Sequence, residues 1–365
     1  MGQTPFLHLG AGNQTAMRVA VIGASGNIGT SVLRALDRDP EVSSVLAIVR
    51  RPAAAAEKIE WRGRDVTSDD LRPDLERADA VVCLSWLIQP SRDPDKLWRA
   101  NVDGSRRVFE AAAEMGVPAL LYASSVGAYS PGPKDRAVDE SWPTGGIESS
   151  FYASHKAQVE RALDEIEARH GEMRVVRMRP ALVFKREAAS EIRRLFAGPL
   201  VPSFLVRPAL IPIVPKAPRL RFQAVHSLDV GEAFRLALRT DARGAFNLAA
   251  DPVLDGNELG RLLGARPVRV HTGLLRAAAD LTWQLRLQPT PPGWVDLALS
   301  VPIMDSSRAR KELGWTPSRS AGDALLELLT GMRERAGAET PPLDPSAGGP
   351  LRAREVASGV GGREA

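Results

Sequence analysis

The sequence predicts an α/β protein built on a doubly wound parallel sheet, and three observations support that class. Short apolar segments such as MRVAVI, residues 17 to 22, recur without the polar alternation of a half-exposed strand. Segments with helical spacing separate them, and a glycine-rich turn joins the first strand to the first helix. Continuous apolar strands that alternate with helices are typical of a parallel sheet covered on both faces.

This alternation continues in chain order to about residue 180. The first helix has Ile28, Val32, Leu33 and Leu36 on one face, as expected at 3.6 residues per turn. Gly116 is placed to cap the end of a later helix. After the first helix the segments are the strands SSVLAIVR and DAVVCLSW, the helix WRANVDGSRRVFEAAAEMG, the strand ALLYASS, the helix FYASHKAQVERALDEIEARHG and the strand MRVVRMRPALVF.

From about residue 181 the pattern changes and predicts a smaller, mainly helical C-terminal lobe. Proline-rich loops come first, followed by a return strand near FQAVHSL, a helix over VGEAFRLALR and the strand GAFNLAA. The glycine-rich end of the chain is typical of disorder. We expect a flexible N-terminus at 1–16, a main domain at 17–180 with a return segment at about 222–250, a lobe at 181–221 and 251–332, and a disordered tail at 333–365.

Composition is that of an ordinary globular protein, with 25% charged and 44% apolar residues. The single cysteine, Cys83, cannot form an internal disulfide, which favours a reducing compartment, the cytoplasm. Five prolines and Arg207 interrupt the apolar stretch at 196–215, so we expect no membrane-spanning helix and no membrane insertion.

Charge and residue spacing argue against two other classes of protein. The five histidines are scattered without metal-ligand spacing, so no metal is expected, and no motif favours a nucleic-acid partner. The net charge is +4, but residues 174–221 hold eleven Lys or Arg against two Glu. Two interpretations stay open: solvated arginines in an arginine-rich chain, or a pocket for an anionic small-molecule substrate.

The turn GASGNIG places Gly23, Gly26 and Gly29 directly after a strand and at the start of a helix. The first glycine permits the tight turn, the second lets the backbone approach a pyrophosphate, and the third lets helix pack on strand. The phosphate would lie at the helix N-terminus, where free N–H groups favour an anion. We expect a Rossmann-type dinucleotide site that also includes the turn residues Ser25, Asn27 and Ile28, with the C-terminal lobe binding the substrate.

The end of the second strand bears on the choice of dinucleotide. An acidic residue there would bind a ribose 2′-hydroxyl, whereas arginine accommodates a 2′-phosphate. The strand ends IVRRP, with Arg50 and Arg51 and no acid. The cofactor is therefore expected to be NAD(P)(H), with NADP(H) favoured over NAD(H).

Tyr152 and Lys156 stand four residues apart in FYASHK and share one face of a helix. A tyrosine with a pKa near 10 is a poor base, and lowering the pKa by about three units needs roughly 4 kcal/mol. A nearby ammonium can supply that order of energy to the phenolate. Ser124 and Ser125 end a sheet strand, and both are candidates for the hydroxyl that orients a substrate oxygen.

The glycine turn, the paired serines and the Y-x-x-x-K pattern occur in that order. The glycine spacing is G-x-x-G-x-x-G, and Ser125 precedes Tyr129 in an S-x-x-x-Y pattern. With these motifs the chain resembles an extended short-chain dehydrogenase/reductase of the NAD-dependent epimerase/dehydratase family over residues 17 to about 330. The segments HSLDV and MDSSRARKELGWTP resemble the return segment and C-terminal signature of that family.

The resemblance implies roles for further residues. Tyr152 would be the acid/base, Lys156 would tune it, Ser125 would hold the substrate oxygen, and Asn101 would support the helix or a proton path. The residues implied to contact the cofactor are Asp65 and Val66 at the adenine, Leu84, Ser85 and Trp86 beside the cofactor, Asn101, Ser124, Tyr152 and Lys156, and Pro180 and Val183 beside the nicotinamide. A homodimer is an open expectation.

Departures from the family pattern keep the substrate open. Trp86 stands where the family has a small residue, and Phe222 stands where sugar-nucleotide enzymes often have an arginine. A nucleotide-sugar epimerase fits the basic stretch at 174–221. A carbonyl reductase for an apolar substrate fits Trp86 and the apolar loop equally well, and a non-catalytic dinucleotide sensor is the alternative from another class of protein.

Overall fold

A computed structural model describes residues 16–53, 57–199, 211–349, 353–357 and 360–362. Its strands are β1 (Met17–Ile22), β2 (Val42–Val49), β3 (Ile59–Gly63), β4 (Ala80–Cys83), β5 (Ala119–Ala123), β6 (Ala137–Val138), β7 (Arg174–Pro180), β8 (Leu182–Phe184), β9 (Ile213–Lys216), β10 (Phe222–His226), β11 (Gly244–Leu248), β12 (Ala250–Leu254), β13 (Arg266–Arg269) and β14 (Ile303–Met304).

The helices surround these strands. They are α1 (Asn27–Asp37), α2 (Arg72–Leu75), α3 (Pro94–Trp98), α4 (Gly104–Glu114), α5 (Phe151–Arg169), α6 (Ala189–Ile192), α7 (Ser227–Leu238), α8 (Gly256–Leu263), α9 (Thr272–Gln284), α10 (Gly293–Ser300), α11 (Ser307–Leu313), α12 (Ala321–Glu334) and α13 (Ala353–Ala357). A five-residue π-helical turn, Arg99–Asp103, joins α3 to α4, and a second, Arg193–Ala197, follows α6.

The main sheet has seven parallel strands in the order β11-β7-β5-β4-β1-β2-β3. The predicted fold class, a doubly wound parallel sheet, is confirmed. The direction of winding reverses beside β1, which lies between β4 and β2. In folds of this kind the ligand lies at that reversal, outside the carboxyl ends of the strands.

Side chains of β1 alternate between two cores, one on each face of the sheet. Val19 and Val21 pack with α1 and α7, whereas Ala20 and Ile22 pack with α4 and α5. Because successive strand residues point to opposite faces, a strand covered on both faces is apolar at every position. The continuous apolar runs in the sequence have this physical origin.

One strand of the sheet was not anticipated from the sequence. The strand β3, with the sequence IEWRG, forms one edge, and its polar residues give no apolar run. The return segment contains the two strands expected of it, and they join different sheets: β10 pairs with β8 in a separate three-stranded sheet, and β11 extends the main sheet beside β7.

The chain after α12 also differs from the expectation of a disordered tail, at residues 335–349. Leu343 there is fully buried, and Thr340 donates a hydrogen bond to the Ser25 carbonyl oxygen at 2.8 Å. The expected flexible N-terminus lies outside the described residues except for Ala16, and so does Arg207. Within the described ranges no helix is long and apolar enough to cross a membrane.

Candidate functional site

A cavity of about 970 Å³ opens at the carboxyl ends of β1, β4 and β5, within the size range of small-molecule sites. It brings together most of the residues that the sequence predicts for a site. The predicted residues that line it are Gly23, Ser25, Gly26, Asn27, Ile28, Gly29, Arg50, Asp65, Val66, Leu84, Ser85, Trp86, Ser124, Ser125, Tyr152, Lys156, Pro180 and Val183. Arg51 and Asn101 do not line it.

The glycine turn has the geometry that a pyrophosphate requires. Gly23 has φ +81°, and a Cβ there would lie 2.7 Å from the Ser85 nitrogen. A Cβ on Gly29 would lie 2.4 Å from the Gly23 carbonyl oxygen, so neither position tolerates a side chain. A Cβ on Gly26, the N-cap of α1, would meet nothing nearer than 3.7 Å, and no side chain caps this helix. The N–H groups of the first turn suit an anion, and the residues present fit a dinucleotide.

Asn27 ties the glycine turn to the strand β8. Its Nδ2 donates to the Val183 carbonyl oxygen at 3.0 Å, while its Oδ1 is buried without a partner among the described residues. Lys185 donates to the Asn27 carbonyl oxygen at 2.7 Å and to Thr30 at 2.5 Å. Burial lowers the pKa of Lys185 to about 8. The sequence did not single out Lys185, because this contact spans more than 150 residues.

The end of β2 presents one of the two predicted arginines to the cavity. Arg50 lines the cavity and Arg51 does not. Arg64, which the sequence did not indicate, also lines this end and donates to Asp74 at 2.7 Å. Asp65 accepts from the Thr67 backbone and hydroxyl at 2.9 and 2.7 Å, which fixes its carboxylate at the rim.

Tyr152 stands in the first turn of α5 between two tryptophans. Ser150 caps the helix by accepting a hydrogen bond from the Ala153 N–H. The Tyr152 ring centroid lies 5.7 Å from that of Trp86 and 4.9 Å from that of Trp294. These contacts place the phenol in an aromatic part of the cavity.

Lys156, one turn later, is almost fully buried and points at the sheet. Its Nζ donates to the Ala123 carbonyl oxygen at 2.7 Å and to the Tyr122 hydroxyl at 3.1 Å. The ammonium also lies 3.6 Å from the Trp86 ring centroid, but 6.0 Å from that of Tyr152. Tyr122 is therefore a partner of the lysine that the sequence analysis did not assign.

The pKa shifts differ from the expectation that the Lys156 ammonium lowers the pKa of Tyr152. Burial raises the pKa of Tyr152, and a hydrogen bond with Ser125 opposes that rise. Burial lowers the pKa of Lys156 to about 7. In this arrangement Ser125, not Lys156, is the group that favours the phenolate, because the lysine is directed to Tyr122 and Ala123.

The two serines at the end of β5 have different tasks. The Ser125 hydroxyl accepts from the Gly127 N–H at 3.0 Å and faces Tyr152. Ser124 lines the cavity, but its hydroxyl donates to Glu160 at 2.5 Å. Arg179 binds the same carboxylate through two 2.9 Å hydrogen bonds. The Ser124 hydroxyl, which is expected to contact the cofactor, is thus hydrogen-bonded to the carboxylate of the buried Glu160–Arg179 ion pair.

Asn101 does not line the cavity but supports a loop beside it. It is fully buried in the π-helical turn before α4. Its Oδ1 accepts from the Leu87 N–H at 2.7 Å, and its Nδ2 donates to the Leu87 carbonyl oxygen at 2.8 Å. This pair of bonds fixes the loop that carries Trp86.

The wall around and beyond Tyr152 is largely apolar, and apart from Trp86 the sequence did not identify it. Its members come from six separate parts of the chain: Leu87, Ile88, Val126, Ile192, Leu195, Phe196, Trp294, Leu297, Leu328 and Pro342. Glu191 is the acid beside this wall, and burial raises its pKa to about 7. Lys96 and Arg99 add two cations to the lining.

The basic stretch at 174–221 does not supply an anion site among its described residues. None of its described Lys or Arg side chains lines the cavity. Arg177 and Arg179 bind Glu160, Arg219 donates to the carbonyl oxygens of Leu299 and Gly132, and Arg174 donates to those of Ala237 and Ala242. Arg177 and Arg179 share one carboxylate, whereas Arg174 and Arg219 bind carbonyl oxygens elsewhere, so these described charges do not converge on one anion site.

A parallel sheet with this cavity at its carboxyl edge is the architecture of extended short-chain dehydrogenases/reductases. A model of the NAD-dependent epimerase/dehydratase family matches residues 19–249, and the chain belongs to that family. Family membership and dehydrogenase relatives support an NAD-dependent enzyme. No group of three or more His, Cys, Asp or Glu in the described part of the chain could hold a metal ion.

Two curated relatives show how far the similarity extends. An uncharacterized protein of Mycobacterium tuberculosis is 25% identical over 327 residues, which are 88% of this chain but 31% of that protein. The chain thus spans about a third of that relative. Sterol-4-alpha-carboxylate 3-dehydrogenase, decarboxylating, of Candida albicans is 26% identical over 183 residues, 47% of this chain and 52% of that protein.

A solved structure shares the fold along most of the chain. MoeE5 in complex with UDP-glucose and NAD superposes with a TM-score of 0.63 and 21% identity, covering 87% of this chain and 99% of that one. At this identity the likeness concerns the fold.

Proposed function

We propose that the protein is a nicotinamide-dinucleotide-dependent oxidoreductase that acts on a hydroxyl or carbonyl carbon of a largely apolar substrate. The observation that carries this proposal is the wall of aliphatic and aromatic side chains around Tyr152. A wall of that kind stabilises a ligand chiefly by removing apolar surface from water. It offers a sugar ring few partners for its hydroxyl groups.

The chain's own residues divide the work of holding the cofactor. The N–H groups at the start of α1 would hold the pyrophosphate, Asp65 and Val66 the adenine, and Pro180 and Val183 the nicotinamide. When bound, the nicotinamide supplies or accepts the hydride. Arg50 and Arg64 at the far end support a preference for the 2′-phosphate of NADP(H).

Proton transfer would fall to Tyr152. The phenol is the acid that protonates the substrate oxygen in reduction and the base in oxidation. Ser125, whose hydroxyl lowers the pKa of that phenol, would orient the same oxygen. Lys156 would donate to a ribose hydroxyl. A bound anionic dinucleotide would raise the pKa of Lys156, and the protonated lysine would then stabilise the Tyr152 phenolate. The aromatic rings around the phenol exclude water from this transfer.

Two unpaired donors mark where a polar part of the substrate would bind. The indole N–H groups of Trp86 and Trp294 are buried without a hydrogen-bond partner among the described residues. A buried donor left unpaired costs roughly 1–3 kcal/mol, which a ligand acceptor would recover. An apolar body with one or two oxygen atoms fits this wall.

Nucleotide-sugar epimerisation is the second candidate. Lys96 and Arg99 line the cavity and could bind a diphosphate, and MoeE5, a structure with a similar fold, was solved with UDP-glucose and NAD. The apolar wall disfavours this candidate, because a hexose would leave it poorly filled.

Turnover of ketones of increasing apolar size and of UDP-glucose tests the choice between the two candidate functions. We would measure NADPH oxidation with cyclohexanone, 2-decalone and a 3-ketosteroid, and assay epimerisation of UDP-glucose with NAD. The proposal expects kcat/KM to rise with the apolar size of the ketone and Trp294→Ala to remove that rise. Native mass spectrometry of protein purified without added ligand adds an independent observation, because it shows which dinucleotide stays bound. Retained NAD and turnover of UDP-glucose alone would establish the second candidate instead.

A further inference from the structure

Residues 339–344, here called the C-terminal strap, lie against the glycine turn. Thr340 Oγ1 donates to the carbonyl oxygen of Ser25 at 2.8 Å, and Ser25 is itself a member of the turn. Pro342 lines the cavity, and Leu343 is fully buried. More than 310 residues separate the strap from the turn in sequence, so this contact is purely tertiary.

Arg194 anchors the strap from the opposite side. Its guanidinium donates to the carbonyl oxygen of Asp344 at 3.1 Å and also to that of Pro342. The neighbouring residues Leu195 and Phe196 line the cavity. The Ala338 N–H donates to the Leu343 carbonyl oxygen at 3.1 Å and closes the strap into a loop. One arginine therefore joins the substrate wall to the strap.

Val360 and Gly361, which follow the strap in the chain, contact another rim of the cavity. Arg92 donates from its backbone to the Gly361 carbonyl oxygen at 3.2 Å and from Nε to that of Val360 at 3.1 Å. Gln89 and Asp93, on either side of Arg92, both line the cavity. The strap thus contacts the cavity rim at Ser25, and Val360 and Gly361 contact it near Gln89.

We propose that the C-terminal strap forms the outer wall of the dinucleotide site and retains the bound cofactor. The inference rests on the dinucleotide binding proposed above. Thr340 holds the Ser25 carbonyl in place and so fixes the turn in its phosphate-binding shape, and Pro342 covers the cavity beside it. The Thr340–Ser25 hydrogen bond is neutral and individually weak, so the strap can leave the turn locally without global unfolding. Opening of the strap precedes cofactor release.

Cofactor release rates test this role. In the full chain, NADPH dissociation would be followed by stopped-flow fluorescence with excess NADP⁺ as a chase. Thr340→Val removes one hydrogen bond and should raise the dissociation rate constant about two- to tenfold. Arg194→Met keeps the apolar stem, removes both anchoring bonds and should raise it about tenfold or more. Association should change less than dissociation in both variants.

Ser346→Ala is the matched control, because Ser346 is exposed and, among the described residues, its hydroxyl bonds only to Asp344. Its release rate should stay within about twofold of wild type. Saturating NADPH should also slow hydrogen exchange at the amides of Thr340 and Leu343. Unchanged release in both strap variants, with wild-type affinity for NADPH, would overturn the strap proposal alone. A wild-type protein that binds neither NADPH nor NADH would overturn the proposed function and the strap with it.

Discussion

The Lys156 ammonium lies 3.6 Å from the centroid of the Trp86 indole ring. A desolvated cation over a tryptophan face is stabilised by about 2 kcal/mol or more. Trp86 stands where family members have a small residue, so this contact accompanies the departure noted in the sequence. The contact also explains how a buried lysine can be held without a carboxylate within hydrogen-bonding distance.

Dinucleotide binding should draw a proton onto Lys156. Burial lowers its pKa to about 7, so at about pH 8 the amine is mostly neutral in the free protein. An anionic dinucleotide raises that pKa, and up to about one proton is taken up per NADPH bound. Calorimetry in two buffers of different ionisation enthalpy measures the uptake. Lys156→Met should abolish it, and wild-type binding without proton uptake would contradict the assignment.

Tyr152→Phe should lose nearly all turnover while dinucleotide affinity falls little, because only the proton-transfer hydroxyl is removed. The steady-state rate with the best ketone and the Kd for NADPH are the two measurements. Tyr129→Phe is the matched control, since Tyr129 does not line the cavity and its hydroxyl bonds Asn247 and Arg179. That control should lose stability and keep turnover. Near-normal activity of Tyr152→Phe would rule out its role as the acid.

Arg50→Ala should weaken NADPH binding by roughly ten- to a hundredfold and leave NADH within a few-fold. The expected loss is that of a charge-assisted hydrogen bond, about 1.5–3 kcal/mol. Arg51→Ala is the matched control, because its side chain does not line the cavity. Titration of both cofactors at fixed salt separates the effects. Equal losses for NADH and NADPH would make NAD the better assignment.

Asn101→Ala should destabilise the protein by about 1–3 kcal/mol, because the Leu87 N–H and carbonyl oxygen lose their partner. Urea unfolding gives the free energy. Asn257→Ala removes an exposed amide that bonds Lys216 and should cost less than about 0.5 kcal/mol. A stable Asn101→Ala protein with lost turnover would instead favour the proton path implied by the family resemblance.

His155 should make the protein acid-sensitive. It packs edge-on against Trp98 and Phe151, and burial lowers its pKa to about 4 from the usual 6.5. The unfolded chain therefore binds the proton first, and stability falls as pH drops from about 6.5 to 4. The loss reaches about 3 kcal/mol. His155→Phe should flatten this dependence between pH 6.5 and 5 in urea unfolding. An unchanged slope would show that the imidazole is already protonated in the fold.

Local patterns in the sequence predicted the parts of the site that are formed locally. The glycine turn needs only a strand, a helix and the three glycines between them. Tyr152 and Lys156 share a helix face because they are four residues apart. Ser124 and Ser125 were placed at the site because they follow a strand at the carboxyl edge of the sheet, and the family resemblance selected Ser125.

Long-range partners could not be read from spacing. Nothing near Ser124 in sequence indicates that Glu160 holds its hydroxyl, and Tyr122 gave no sign of binding Lys156. The strand β3 and the strap carry no apolar periodicity. Charge counted along residues 174–221 left two interpretations open, because it does not show that Arg177 and Arg179 are paired with Glu160 while Arg174 and Arg219 bind carbonyl oxygens elsewhere.

The arginines of β7 matter while the chain is being synthesised, because β7 is exposed before its neighbour β11 exists. β11 pairs with β7 in the sheet but follows it by more than 60 residues, so β7 is an open edge for several seconds at about 5–20 residues added per second. An open apolar edge invites pairing with another nascent chain. Arg177 and Arg179 interrupt that edge, and Glu160, already synthesised in α5, can neutralise them. We expect this ion pair to protect the growing chain on the ribosome from association before its edge is covered.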